Sequence, residues 1–199
     1  MRELYRGAES IVYLDKQAIV KERIKKSYRI SQIDERLRRE RTRKEVKLLT
    51  DARSIGVMTP KILHVEENKI VMEHIKGTRV KEFLNARNAA KTCKEIGKII
   101  GKLHASNIVH GDLTTSNMIL HDRLIYLIDF SLGDHSRKLE DKGTDIKLLK
   151  EALQSSHFKI FKTCWNNIVK GYKAEYADAG KVLEKVEEIE RRARYRQHE

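Results

Sequence analysis

The chain has 199 residues, 40% of them hydrophobic and 36% charged, with one proline and ten glycines. That is enough for one catalytic unit with a buried core, and it argues against a disordered or linker-rich protein. The formal net charge of +13 favours polyanionic partners such as nucleic acid, nucleotides or an acidic protein, while two isolated cysteines, Cys93 and Cys164, argue against a disulfide framework or a zinc site.

The start, MRELYRGAES, has no apolar run of signal-peptide length, and no later stretch reaches membrane-spanning length. The expectation is a reduced, cytoplasmic protein without a membrane partner. Ile11–Leu14 and Ala18–Val20 read as strands around the polar turn Asp15-Lys16-Gln17. A long helix follows, with Ser31 as its N-cap, Asp34 completing a weak capping box, and Gly56 as its stop. Strands recur at Ile62–Val65 and Lys69–Ile75, around the turn Glu67-Asn68.

From about Gly77 the period changes. Cys93, Ile96, Gly97, Ile100, Leu103 and His104 fall at helical spacing. After a polar segment come two short apolar runs, Met118–Leu120 and Leu124–Ile128, and then helical patterns over Ile146–Leu153, Phe158–Tyr172 and Val182–Arg194. The basic residues are uneven: Lys21 to Lys47 holds twelve Lys/Arg against five Asp/Glu, and Arg191, Arg192, Arg194 and Arg196 form a second concentration.

The segment His110-Gly111-Asp112-Leu113-Thr114-Thr115-Ser116-Asn117, followed by Ile128-Asp129-Phe130, carries the chemistry. It sets two carboxylates and a carboxamide on loops beside short buried strands. Asp112 is suited to orient or deprotonate an attacking hydroxyl, and Asn117 and Asp129 offer the oxygen ligands that Mg²⁺ takes beside nucleotide phosphates. Asp-x4-Asn with apolar-Asp-Phe twelve residues later matches the order and spacing of the kinase catalytic and metal loops. A lone His-x-Asp would carry little; the whole constellation is specific.

Upstream, Lys21 closes the second apolar strand, where a lysine pairs nucleotide phosphates. Its helix partner is Glu45, which precedes the apolar Val46-x-Leu48-Leu49 turn, with Glu40 as the rival. The loop Arg6-Gly7-Ala8-Glu9-Ser10 would cover the phosphates of ATP, although it holds a single glycine. Glu73-His74-Ile75 leaves the last strand where a kinase hinge offers backbone groups to adenine; a plain strand exit reads the same way. These positions imply an α+β, two-lobed protein-kinase-like fold. Residues 1–75 would form a small β-rich N-lobe with one long helix, and 76–199 a reduced helical C-lobe with the basic C-terminal tail.

HGDLTTSN, the following IDF, the basic KERIKKSYR and RRERTRKE stretches and the ending ERRARYR together resemble the small atypical kinase subunit of the KEOPS (EKC) complex, in the short form that looks archaeal. The resemblance spans essentially the whole chain. It implies an atypical serine/threonine kinase or ATPase acting in threonylcarbamoyladenosine modification of transfer RNA. Its partners would be the threonylcarbamoyl-transferase subunit, a small subunit on the N-lobe, and transfer RNA. It further implies a Lys21–Glu45 ion pair, Asp112 as the catalytic aspartate, Asn117 and Asp129 on the metal, and Asp145 as a buried prop under the catalytic loop.

Three departures from ordinary kinases stand out. Thr114 occupies the place of a lysine that contacts the transferred phosphate, no Ala-Pro-Glu follows, and the metal loop reads Asp129-Phe130-Ser131. Serine resists the positive φ that glycine accepts there. The 69 residues after Phe130 leave room only for a reduced lobe, too small for the acceptor pocket of an aminoglycoside- or choline-type phosphotransferase. That enzyme class and a nucleotide-binding pseudokinase scaffold are the alternatives, and the intact Lys21, Asp112, Asn117 and Asp129 argue against the scaffold.

Overall fold

The computed structural model describes residues 1–196; Gln197–Glu199 and the side chains of Arg194, Tyr195 and Arg196 lie outside what it describes. The chain begins with three strands, β1 (Arg2–Arg6), β2 (Ser10–Asp15) and β3 (Ala18–Arg23), then helix α1 (Ser31–Ser54), then β4 (Ile62–Val65) and β5 (Lys69–Glu73). These strands form one antiparallel sheet in the order β1-β2-β3-β5-β4. Lys16, at φ 53°, closes the β2–β3 hairpin. β1 is exposed along its whole length and lacks the alternation that marks a half-buried strand, so nothing in its pattern announces it.

In β3 the register pairs Lys21 with Val12 and Ile70. The period of two then puts Lys21 and Arg23 on the face toward α1 and Val20 on the opposite face. The inward positions of α1 are Asp34, Thr42, Glu45, Leu48, Leu49 and Ala52. The first half of that stripe is polar and the second half apolar, so the helix packs by charge at one end and by hydrophobic contact at the other. The Ser31 cap does not form: Ile30 occupies the N-cap, and Asp34 instead accepts from Lys26 N and from Arg38 Nε. The buried Asp34 carboxylate is thus satisfied by a backbone amide and a guanidinium rather than at its own helix end.

The rest comprises β6 (Thr78–Arg79), α2 (Val80–Phe83), α3 (Ala89–Ala105), β7 (Ile108–Val109), β8 (Met118–His121), β9 (Leu124–Leu127), β10 (Asp134–His135), α4 (Leu139–Ser156), α5 (Phe161–Glu175) and α6 (Ala179–Arg196). β6-β8-β9 form one small sheet and β10-β7 a second. α3 crosses α5 at backbone distance, because a Cβ on Gly97 would lie 2.1 Å from Ile168 O and one on Gly171 2.0 Å from Lys94 O.

A single apolar cluster joins Leu48 and Leu49 of α1 to Ile100, Leu113, Leu127, Phe130, Leu149 and Val182. The long helix is therefore anchored in the same core that carries the loops after β7 and β9. Burying side chains of this size stabilises the fold by roughly 1.5–3 kcal/mol each.

Candidate functional site

Lys21 leaves β3 only 5% exposed and directs all three of its protons to protein acceptors. These are Glu45 Oε1 at 2.6 Å, Asp129 Oδ1 at 2.8 Å and Ser131 Oγ at 2.7 Å. Burial by itself pushes the lysine down; the charges of Glu45 and Asp129 outweigh it and raise it above its usual value. Burial likewise pushes the Asp129 carboxyl up, but the Lys21 charge and the hydrogen bonds from Lys21 and Ser131 hold it at about 2. Glu45, not Glu40, meets the lysine: Glu45 is buried, while Glu40 lies in solvent beside Arg36 at 3.8 Å.

Arg23, two residues beyond Lys21, takes the other Glu45 oxygen at 2.6 Å and also donates to Arg41 O. Sequence reasoning passed over it. The signal was present, since Lys-x-Arg on a strand puts both cations on one face. With two cations on one carboxylate, α1 is held against the sheet whichever way Lys21 turns.

The catalytic-loop candidates sit between β7 and β8. Asp145 of α4 accepts from His110 N at 2.5 Å and Gly111 N at 2.7 Å, fixing the loop from below. Gly111 stands at φ 80°, and a Cβ there would fall 2.2 Å from Leu132 O, so only glycine lets the loop lie this close to the metal loop. Burial lowers the affinity of His110 for a proton. Its neutral ring donates from Nε2 to Ile128 O at 3.0 Å and accepts at Nδ1 from Asp112 N at 3.3 Å, so it ties the two loops together as a packing residue. Asn117 donates from Nδ2 to Asp112 O at 2.9 Å and to Asp112 Oδ2 at 2.8 Å. The carboxamide oxygen of Asn117 is thereby turned away from its own loop.

In the metal loop the positive φ falls on Asp129, at 64°, and not on Ser131. The strain expected from serine in the glycine place does not arise. Its hydroxyl instead donates to Asp129 Oδ1 at 2.5 Å.

The loop at Gly7, Ala8, Glu9 and Ser10 is closed by Gly7 N to Ser10 O at 2.9 Å. It is pinned by Ile24 N to Glu9 O at 3.1 Å, by Lys26 Nζ to Ala8 O, and by the Arg41–Glu9 ion pair at 2.5 Å. Hydrogen bonds to backbone carbonyls and an ion pair thus supply the order that this glycine-poor loop needs. Glu73 ends β5 with its N–H on Lys61 O at 2.9 Å and its carboxylate on Lys61 N at 3.2 Å, so its side chain is taken up by the neighbouring segment before β4. Ile75 follows, buried, with its carbonyl accepting from Gly77 N.

Among the described residues no cluster of three His, Cys, Asp or Glu side chains is placed to hold a metal. An ion held by Asn117 and Asp129 would complete its shell with water and phosphate oxygens, which is how Mg²⁺ binds at nucleotide sites. No helix among those residues is long and apolar enough to cross a membrane.

The RIO domain family matches residues 9–138. The KEOPS complex subunit Bud32 of Pyrococcus abyssi is 44% identical, with 99% of this chain and 97% of that protein covered. A probable bifunctional tRNA threonylcarbamoyladenosine biosynthesis protein of Methanosarcina mazei is also 44% identical, over 95% of this chain but 35% of that longer protein. Among solved structures, the Rio2 kinase–ADP/Mg²⁺–phosphoaspartate complex of Chaetomium thermophilum superposes with TM-score 0.66 at 15% identity, over 98% of this chain and 72% of that one. That last likeness establishes the protein-kinase-like fold.

Proposed function

We propose that this chain, which belongs to the RIO-domain family, is an ATP-dependent phosphotransferase or ATPase of the KEOPS complex, serving threonylcarbamoyladenosine modification of transfer RNA. The observation that carries the chemistry is the meeting of Lys21, Glu45 and Asp129 within 2.6–2.8 Å, from a strand, a helix and a loop far apart in sequence. The relatives' names carry the biological setting.

The donor set fits a magnesium nucleotide. Asp129 is ionised, its side chain is 44% exposed, and its Oδ1 is occupied by Lys21 and Ser131, which leaves Oδ2 without a hydrogen-bond partner among the described residues. Mg²⁺, when bound, neutralises charge developing on the phosphates. Asn117 and Asp129 would hold it. Lys21 keeps Glu45 and exchanges Asp129 and Ser131 for phosphate oxygens. Asp112, held by Asn117 through Oδ2, keeps Oδ1 to orient an acceptor hydroxyl or a water and to receive its proton. The N–H groups of the Gly7–Ser10 loop would cover the phosphates, and backbone groups of Glu73 and Ile75 would meet adenine. Residues 1–75 and 76–199 then act as the two lobes around the nucleotide.

The threonylcarbamoyl-transferase subunit and a small subunit on the N-lobe are the protein partners of this reading. Transfer RNA would meet the basic stripe of α1 and the terminal arginines. Within the stripe Arg36 and Arg39 pair with Glu40 and Glu67, whereas Arg43 and Lys47 have no ion-pair partner among the described residues. A cytoplasmic location agrees with this setting.

The test is ATP turnover with and without Mg²⁺ for the wild type, Asp129→Ala and Asp112→Asn. Asp129→Ala should abolish the magnesium-dependent reaction, and Asp112→Asn should lower kcat about 10²–10³-fold with little change in nucleotide affinity. Near wild-type turnover in both variants would refute the assignment.

A further inference from the structure

Kinase metal loops of the Asp-Phe-Gly type have no side chain at the position that Ser131 holds here. The hydroxyl sits at the centre of the charged cluster. It accepts from Lys21 Nζ at 2.7 Å, donates to Asp129 Oδ1 at 2.5 Å and lies 3.4 Å from Glu45 Oε2. The Ser131 backbone N–H reaches the same Asp129 oxygen at 3.2 Å. Asp129 Oδ1 thus has three donors, of which Ser131 supplies two and Lys21 one.

We infer that Ser131 is a positioning residue for the metal ligand Asp129, holding its carboxylate in place when Lys21 leaves for a nucleotide phosphate. The inference rests on the nucleotide reading of the site. Lys21 has three protons, and all three are on protein acceptors. Contact with phosphate therefore requires it to give up Asp129, Ser131 or both. If Lys21 and the backbone amide were the only donors, Asp129 Oδ1 would lose its charged partner at the moment the metal arrives, and the carboxylate would be free to rotate about its last torsion.

The serine hydroxyl removes that dependence. Its hydrogen bond to the carboxylate is short and charge-assisted, and such bonds are about twice as strong as neutral ones. It also stands on the same loop as Asp129, two residues on, so it moves with the ligand it steadies. Oδ2 stays the free oxygen throughout. The positive φ of Asp129 serves the same end, because it turns the Asp129 side chain back toward the residue-131 backbone and hydroxyl.

The experiment compares wild type, Ser131→Ala and Ser131→Thr in equilibrium binding of Mn²⁺ in the presence of ADP, followed by electron paramagnetic resonance. Binding of ADP in EDTA is measured beside it by calorimetry. Ser131→Ala should weaken Mn²⁺ about tenfold, the loss of one hydrogen bond to a charged group, without weakening metal-free ADP binding. Ser131→Thr, which keeps the hydroxyl, should restore metal affinity. Unchanged Mn²⁺ affinity in Ser131→Ala overturns the inference. So does tighter ADP binding both with and without metal, since the hydroxyl would then be a latch on Lys21. Wild type that binds no ADP would instead refute the nucleotide reading itself.

Discussion

The buried Glu45 carboxylate is shared between two cations, Lys21 on one oxygen and Arg23 on the other, each at 2.6 Å. One anion of α1 thus bridges two same-face positions of β3, and moving the helix from the sheet would break both pairs.

Removing that anion should therefore cost more than removing either cation. Glu45→Ala leaves the buried Arg23 without its carboxylate partner and Lys21 with Asp129 alone, and breaking a buried pair in this way costs about 3–5 kcal/mol. Urea unfolding measures it. A loss under about 1 kcal/mol would mean that the cluster is wetter or looser than its geometry.

Acid should destabilise the protein in two windows. Burial lowers the proton affinity of His104 and His110 in the folded state. The unfolded chain then binds more protons below the ordinary histidine value of about 6.5, so stability falls as pH drops through that value. Asp129 titrates at about 2 when folded, against about 3.9 when unfolded. Its contribution is complete above about pH 4 and is lost as pH falls toward 2. Its half-exposed side chain is solvent-screened, which limits that contribution to about 1 kcal/mol. Unfolding free energies from pH 8 to pH 2 check both windows, with His104→Gln expected to flatten the upper one.

Two glycine substitutions should have opposite signs. Gly97→Ala puts a methyl 2.1 Å from Ile168 O in the α3–α5 crossing, where backbone must move; overpacking of this kind costs about 1–3 kcal/mol or more. Gly180→Ala, in the first turn of α6 with nothing within 4 Å of the added carbon, should stabilise by about 0.4–1 kcal/mol. Thermal melts of the two variants decide it, and a stable Gly97→Ala protein would contradict the close crossing.

Truncation after Glu190 tests the RNA contact. α6 continues as helix to Arg196, two residues beyond the helical pattern read over Val182–Arg194, so the terminal arginines extend a packed element. Val182 and Val186, which anchor α6 in the core, remain after truncation. Arg192 pairs with Glu140, a contact that an RNA phosphate would have to displace. Losing the arginine–phosphate contacts should flatten the slope of log affinity against log salt by about 2–3 units. RNA binding by the assembled complex over a range of salt reads this, and ATP turnover by the isolated chain should be largely kept. Altered basal turnover without RNA would place the helix end at the nucleotide site instead.

The sequence alone determined what is local. The spacing of Asp112, Asn117 and Asp129 reads directly, because each lies on a short loop beside a buried strand and the chain itself sets the separation. The strands β2 to β5 were legible as short apolar runs around polar turns, and the helices α3 to α6 by their helical spacing. β1 was not, since an exposed edge strand needs no alternation.

The tertiary structure decided what depends on partners distant in the chain. Lys21 and Asp129 are 108 residues apart, and no pattern states that they meet. The apolar Val46-x-Leu48-Leu49 turn favours Glu45 over its rival Glu40 in sequence, and the packing of Leu48, Leu49 and Ala52 into the common core fixes the helix rotation that buries it. Asp34 reads as a capping residue until Arg29 and Arg38 are seen beside it. Ser131 reads as a liability until Asp129 takes the positive φ and leaves the serine an ordinary backbone and a hydroxyl to donate. In each case the side chain's role is an electrostatic one, and electrostatic roles are set by which charges the fold brings within about 3 Å, a distance that sequence separation does not encode.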